Sequence, residues 1–407
     1  MSTILFSNAS VILEDRVLAE AQVEVVQGRI RAVGAAHGAT SDTATRIVDL
    51  KGDYLAPGFI DLHVHGGDGA DFMDGTDDAF RTVCRAHLRH GTTSLLPTST
   101  VARHEQIIAF LQCCRRQCYG LGERDLWRSD MATRGARVLG AHLYGPYFGA
   151  DARGCHPAGP LRPPTRAEFQ RYLEFADCIL RATVAPELPG AEDFVSACRE
   201  RGIGCNVGHS HATFEQMEAA IAWGVRHVDH LFCAMSDRAR LRQEQTYPMR
   251  GGVMEATLYF DELTTEVIAD GKHLNRELLL LAAKIKGPQR LALVTDCNRA
   301  LDMPDGDYIF GPRDGGEPII RRDGVGIMPD GKSLASGVMG MDHAVRTFQH
   351  LTQAPLMEVI RMASLTPARI AGRDRDLGSI APGKVADLVV LDRSLQVRDV
   401  YLAGRRV

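Results

Sequence analysis

Five side chains able to bind a metal stand at the ends of apolar segments of this chain. They are His63 and His65 in FIDLHVH, His209 in IGCNVGHS, His230 in RHVDHLF and Asp296 in LALVTDCN. Residues two apart on a strand point to the same side, so His63 and His65 should face together. Imidazole and carboxylate ligands suit a borderline divalent metal such as zinc or iron. A hydrogen-bonded structural role could explain any one of these histidines, but it hardly explains all five side chains together. The set therefore predicts a metal centre.

A metal centre of this kind predicts hydrolytic chemistry. A cation held by two or more histidines, with one position open, lowers the pKa of its water to about 7 and polarises a carbonyl oxygen. Asp296, beside that water, would take the proton and later pass it to the leaving group. This combination is typical of the hydrolysis of an amide, a lactone or a cyclic imide.

Composition and charge exclude several other classes of protein. Of the 407 residues, 45% are apolar and 24% are charged, as in a soluble globular protein, and the net charge of −4 argues against a nucleic-acid binder. No segment approaches the roughly 20 apolar residues of a membrane span, and the N-terminus lacks a secretory signal. We therefore expect a cytoplasmic protein that binds neither nucleic acid nor membrane. Most of its ten cysteines are expected to be reduced thiols, and Cys155, Cys233 and Cys297 are set apart because they lie within motifs that carry candidate site residues.

The elements that must position these side chains alternate between strand and helix. Candidate strands cover residues 59–65, 92–99, 137–145, 179–187, 203–210, 226–232, 266–273 and 291–298. Eight strands alternating with helices predict an α/β fold, the (β/α)₈ or TIM barrel, whose active sites lie at the C-terminal ends of the strands. Both chain ends are rich in strands, so residues 1–56 and 368–407 are predicted to form one small β-sandwich domain beside a barrel of residues 57–367. Residues 311–332 should form an excursion after the last barrel strand.

The motifs, taken in order, resemble a known family. PGFIDLHVHGGDGADFMDG, GAHLYGPYFGADARGCHPAG, NVGHSHAT, HVDHLFCAMS, IADGKHL and LVTDCNRALDMPDG are similar to segments of the N-acetylglucosamine-6-phosphate deacetylases of the amidohydrolase superfamily. The likeness extends to LGSIAPGKVADLVVLD near the end and covers nearly the whole chain. It implies a homodimeric metal-dependent deacetylase with one or two zinc or iron ions.

The resemblance also implies roles for individual residues. His209 and His230 would hold the main metal, and His63 and His65 a second one. Asp296 would be the catalytic acid–base. His156, in GCHPAG, would contact the substrate near the scissile amide, and His273, in DGKHL, would contact the sugar or its phosphate across a dimer interface.

Two departures from the family pattern affect the metal and the substrate. The family has H-L-E-G-P in the third strand with its Glu on the metal, whereas this chain has Tyr144 there. Tyr144 could ligate as a phenolate, contact substrate, or leave the metal to His63, His65 and Asp296. A thiolate of Cys155 or Cys233 could also replace the missing carboxylate, although small residues near a pocket are the simpler interpretation of both. Where the family has N-A-M after H-L-F, and uses the Asn for phosphate, this chain has Cys233 followed by Ala234 and Met235. The substrate could then be an N-acetyl sugar without phosphate.

The predicted function is therefore removal of the acetyl group from N-acetylglucosamine-6-phosphate or a related N-acetyl amino sugar, a small-molecule substrate. One alternative is a lactonase or N-acyl amino acid hydrolase of the same superfamily. Another, from a different class, is a catalytically silent binding protein, which only the missing Glu would favour. The set of retained histidines and Asp296 opposes that alternative, because a silent protein has no physical need for it.

Overall fold

Short parallel strands form the centre of the molecule and direct their C-terminal ends to one side. The computed structural model describes residues 3–35, 45–118, 122 and 131–407. In chain order, the barrel strands are Phe59–Val64, Thr92–Pro97, Arg137–Val138 with Ala141–Leu143, Ile179–Thr183, Gly204–Val207, His227–Val228, Thr264–Ile268 and Leu291–Val294. Their side chains are almost all buried, as in a sheet covered on both faces.

Two parallel sheets make up this barrel. The third strand is divided between them at Gly140, whose φ of 152° and close approach to Leu180 leave no room for a side chain. A bridge between Thr98 and His142 joins the two sheets, and a bridge between Val64 and Cys297 joins the first strand to the segment after the last. The predicted barrel fold is confirmed.

Helices alternate with the barrel strands and cover them. They are Asp77–Arg89, His104–Gln117, Met131–Arg134, Arg166–Leu173, Ala191–Glu200, Phe214–Trp223, Arg238–Leu241, Val253–Tyr259, Arg276–Lys286, Met341–Thr352, Leu356–Ala363 and Leu365–Ile370, with 3₁₀ turns at Phe72–Asp74 and Ala150–Ala152. Side-chain oxygens of Thr76, Thr213 and Asn275 accept backbone N–H groups at the starts of three of them, which satisfies donors left open by the first helical turn. No described helix is long and apolar enough to cross a membrane.

The two ends of the chain meet in one eight-stranded sheet. Its strands are Thr3–Ile12, Val17–Val26, Arg29–Ala35, Thr45–Asp49, Tyr54–Pro57, Leu388–Leu391, Val397–Leu402 and Arg405–Arg406. The join is antiparallel, with Tyr54 opposite Leu391 and Pro57 opposite Leu388. A hydrophobic cluster that includes Phe6, Val23 and Tyr401 is separate from the barrel core. The exact boundaries between this small domain and the barrel, at residues 56/57 and 367/368, stay a prediction.

An antiparallel excursion follows the last barrel strand. It consists of Gly306–Phe310, Glu317–Arg322 and Val325–Ile327, so it begins slightly earlier than expected. Residues 326–333 read GIMPDGKS, which matches the letters of a nucleotide phosphate-binding loop. Such a loop must open a helix, whereas the next helix here begins only at Met341. The match therefore lacks the structural context that would give it meaning.

Candidate active site

A cavity of about 410 Å³ lies at the C-terminal ends of the barrel strands. All the predicted site residues except His63 line it, namely His65, Tyr144, His156, His209, His230, Cys233, Ala234, His273 and Asp296. His63 is fully buried, and its ring packs against the rings of His65 and Tyr144, which line the cavity. The structure thus brings the whole predicted set together, although the members come from segments far apart in the chain.

The first cluster, which we call the aspartate centre, contains His63, His65 and Asp296. One ligand atom from each lies within 4.8 Å of the other two. Oδ1 of Asp296 is 3.2 Å from Nε2 of His65 and 3.7 Å from Nε2 of His63. Among the described residues, Nε2 of His63 has no hydrogen-bond partner. Two nitrogens and one carboxylate oxygen therefore converge on a single small volume.

The second cluster, which we call the tyrosine centre, contains Tyr144, His209 and His230. The Nε2 atoms of the two histidines are 3.2 Å apart, and the Tyr144 hydroxyl is 2.6 Å from Nε2 of His230. The ring of Tyr144 packs against both His63, at 4.5 Å between centroids, and His209, at 5.4 Å. Tyr144 therefore stands between the two centres.

All four histidines of these centres use Nδ1 in the same way. Each Nδ1 faces an oxygen that can only accept a hydrogen bond: a Glu266 carboxylate oxygen at 2.7 Å for His63, the Thr98 carbonyl at 3.2 Å for His65, the Ala152 carbonyl at 2.7 Å for His209 and the Cys233 carbonyl at 3.2 Å for His230. Each Nδ1 must therefore carry a proton, so Nε2 is the bare nitrogen in the neutral form of each ring. Metal-binding histidines are held in this way, by a hydrogen bond at the ring nitrogen that does not bind the metal.

The charges at the aspartate centre favour a cation there. Burial lowers the pKa of His63, but the charges of Asp296 and Glu266 raise it to about 9. Burial raises the pKa of Asp296, but His63 and His65 bring it well below its usual range. An ionised carboxylate thus faces imidazole nitrogens, and a proton or a metal ion must balance it. The donor set fits zinc or iron.

Three of the ligand candidates sit in left-handed backbone at the point where a strand ends. The φ angles are 48° at His209, 25° at His230 and 47° at Asp296. Non-glycine residues adopt this conformation rarely, and it clusters at functional sites. The turn at His230 also explains why the sixth strand is only His227–Val228, shorter than predicted.

Two further histidines face the cavity with defined hydrogen-bonding roles. Nδ1 of His156 accepts the Val101 N–H at 3.3 Å, so the neutral ring carries its proton on Nε2. Burial and the neighbouring histidines lower the pKa of His156, which favours that neutral form. His273 instead pairs with Asp270 at 2.7 Å, and this contact raises its pKa despite burial. The cavity therefore offers one neutral donor and one that can carry charge.

The sequence profile of the Amidohydrolase family matches residues 54–407 of this chain. The chain belongs to the amidohydrolase family. Among its curated relatives, N-acetylgalactosamine-6-phosphate deacetylase of Escherichia coli is 32% identical over 360 residues, which are 88% of this amidohydrolase and 89% of the relative. Human N-acetylglucosamine-6-phosphate deacetylase is also 32% identical, over 88% of this chain and 84% of its own.

Solved structures agree with this assignment. N-acetylglucosamine-6-phosphate deacetylase of Pasteurella multocida superimposes with a TM-score of 0.88 at 28% identity, covering 100% of this chain and 99% of the other. The Mycobacterium smegmatis enzyme gives a TM-score of 0.86 at 29% identity and covers both chains fully. The barrel with its attached sheet is therefore the fold of these deacetylases, and the predicted family is confirmed.

Glu266 is one of two residues of this amidohydrolase site that sequence reasoning missed. It lies in the seventh barrel strand, is 1% exposed, and bonds Nδ1 of His63 and, at 3.1 Å, Nε2 of His227. These partners hold its pKa well below its usual range although burial opposes them. One signal in the sequence could have found Glu266: it is an acidic residue within a strand that should be apolar. A charge buried there needs partners, which would have pointed to the nearby histidines.

Cys233 contributes to the site through its backbone. Its carbonyl orients His230, as described above, whereas burial and nearby carboxylates raise the pKa of its thiol to about 12. A thiol so held stays protonated at neutral pH and is a poor metal ligand. Ser336, also missed from the sequence, places Oγ 3.3 Å from Oδ1 of Asp296 and bonds the Asp296 carbonyl oxygen.

Proposed function

We propose that this amidohydrolase is a metal-dependent deacetylase that hydrolyses the acetamide of an N-acetyl amino sugar, N-acetylglucosamine-6-phosphate or a close relative. One observation carries the proposal. Four imidazole Nε2 atoms, each from a ring oriented by a hydrogen bond at Nδ1, and the Asp296 carboxylate lie together at the cavity. The relatives named above deacetylate such sugars, which supports the choice of bond.

Asp296 would act as the acid–base. It is ionised, because His63 and His65 hold its pKa low, and it lines the cavity. It would accept a proton from the attacking water and return it to the leaving amine. A divalent cation, held by His63, His65, His209, His230 or Asp296, lowers the pKa of water and polarises the amide carbonyl when bound. The histidines are preorganised for it by their Nδ1 contacts.

The remaining predicted residues would orient the substrate. His156 presents an Nε2 proton to the cavity and can donate it to a carbonyl or hydroxyl oxygen of the sugar. Tyr144 and the backbone of Cys233 and Ala234 form the wall beside the metal centres. His273, whose pKa is raised by Asp270, can carry positive charge toward an anionic group.

The cavity bears on whether the substrate carries a phosphate. Within the described residues, the cavity lining contains no lysine or arginine. Arg240 lies outside the lining and pairs at 3.5 Å with Asp151, which lines the cavity. An N-acetyl sugar without phosphate is therefore a second candidate substrate.

The test is acetate release from N-acetylglucosamine-6-phosphate, N-acetylgalactosamine-6-phosphate and N-acetylglucosamine, with a sugar lactone as a fourth arm. We expect turnover of at least one acetyl sugar by the metal-loaded enzyme and loss of turnover in Asp296→Asn. Hydrolysis of the lactone alone would refute the deacetylase assignment. Activity that survives in Asp296→Asn would refute the assigned acid–base.

We also propose that the cation is zinc or iron, in one or two copies, and that the enzyme is a cytoplasmic homodimer. The donor set supports the first point, and the resemblance supports the second. Elemental analysis of the purified protein and its mass in solution test them. Limited proteolysis would test the proposed division into residues 57–367 and residues 1–56 with 368–407.

A further inference from the structure

The two centres differ in how free their ligand atoms are. In the aspartate centre, Nε2 of His63 has no partner among the described residues, and the His65 and Asp296 atoms face it. Oδ1 of Asp296 lies 3.2 Å from Nε2 of His65 and 3.7 Å from Nε2 of His63. A cation entering it would meet two imidazole nitrogens and a carboxylate oxygen, and it would replace only the 3.2 Å contact between His65 and Asp296, which would both become its ligands.

The tyrosine centre has already used one of its lone pairs. Since Nδ1 of His230 donates to a carbonyl, its Nε2 must accept, and the Tyr144 hydroxyl at 2.6 Å is the donor. The phenol is held in place, because the backbone N–H of Tyr144 donates to Ser99 at 2.8 Å and its ring packs edge-on against Phe148 at 4.7 Å. The hydroxyl therefore occupies the lone pair with which His230 would bind a cation.

Two buried carboxylates near Tyr144, those of Glu266 and Asp229, have other hydrogen-bond partners. The two carboxylate oxygens of Glu266 accept hydrogen bonds from His63 and His227. Asp229 is bound by Thr183 and by Asn206, each at 2.7 Å. The tyrosine centre is left with two neutral imidazoles and a phenol.

We propose that this chain binds a single divalent cation, in the aspartate centre of His63, His65 and Asp296, and that the Tyr144 hydroxyl keeps a second cation out of the tyrosine centre. The inference rests on the proposed metal-dependent function, but it assigns the number and the place of the ion. His209 and His230 then serve as hydrogen-bonding groups at the cavity wall.

The test counts ions in the absence of substrate. Chelator-treated protein is titrated with Zn²⁺ or Co²⁺, and bound metal is measured by elemental analysis and calorimetry for the parent, His65→Gln, His209→Gln and Tyr144→Glu. We expect one equivalent in the parent and in His209→Gln. In His65→Gln the affinity should fall by more than about 100-fold, because a ligand and not only its partner is lost. Tyr144→Glu should bind two equivalents.

Several results would overturn this inference: no ion or two ions in the parent, loss of the ion in His209→Gln but not in His65→Gln, or one ion in Tyr144→Glu. An Fe³⁺ charge-transfer band that disappears in Tyr144→Phe would also overturn it, since Tyr144 would then be a ligand. Circular dichroism checks the folding of each variant, and Asp296→Asn replaces His65→Gln if the latter does not fold. Two ions with deacetylation would refute only this inference, whereas one ion without hydrolysis of any N-acetyl sugar would refute only the proposed function.

Discussion

Replacing Glu266 by Gln tests whether this buried carboxylate prepares His63 for the metal. The carboxylate accepts hydrogen bonds from two imidazoles, those of His63 and His227. An amide offers one oxygen and one NH₂ group, so one of the two imidazole N–H groups would then face another donor. If His63 changes tautomer in response, its Nε2 carries a proton and no longer binds a cation.

The size of the effect follows from this geometry. Loss of a group that orients a metal ligand typically lowers metal affinity by about 10- to 100-fold, or about 1.4 to 2.8 kcal/mol. The mismatch is fully buried, so the free energy of unfolding of the metal-free protein should also fall, by about 1–3 kcal/mol. Both losses should appear although Glu266 does not line the cavity.

Competition with a fluorescent Zn²⁺ chelator measures the affinity, and urea unfolding measures the stability. Glu255→Gln is the matched control. Glu255 accepts the N–H of Gly252 at 2.8 Å at the start of a helix and lies outside the cavity lining. A Glu266→Gln protein whose zinc affinity stays within twofold of the parent would refute the reasoning, as would an equal loss in Glu255→Gln.

Three other predictions follow from the site and its surroundings. Asp296→Asn should lower the rate of acetate release by about 10²- to 10⁴-fold at saturating metal; a smaller loss would mean that another group transfers the proton. Removal of metal by a chelator should lower the unfolding temperature. A ligand present at a thousand times its Kd stabilises the folded protein by about 4 kcal/mol, and the chelator removes that contribution. An unchanged transition in calorimetry would argue against a tightly bound ion. Burial lowers the pKa of His90, but hydrogen bonds to Asp302 and Asp342 raise it to about 9. The pKa of His90 in the folded protein exceeds its unfolded value of about 6.5. Protonated His90 should therefore stabilise the fold by up to about 3 kcal/mol below about pH 6.5, and this contribution should disappear as the pH rises through 9. Urea unfolding of His90→Gln should therefore differ from the parent at pH 6 but not at pH 10, and a difference that does not change with pH would contradict this assignment.

Local sequence pattern was enough to place most of the site. A strand has a period of two residues, and parallel barrel strands direct their C-terminal ends to one face. His63, His65, His209, His230 and Asp296 could therefore be assigned to one cavity without any knowledge of packing. The same pattern misjudged the length of the sixth strand, because the left-handed turn at His230 is rare for a residue with a side chain.

Tertiary structure alone decided what the side chains can do. Glu266 meets His63 across 203 positions of the chain, and Tyr144 meets His230 across 86. The first contact sets which nitrogen of His63 is bare, and the second uses the bare nitrogen of His230. The sequence by itself determined which residues share the cavity, because strand geometry is local. The structure determined their tautomers and partners, because a hydrogen bond across a barrel depends on distances that no local pattern encodes.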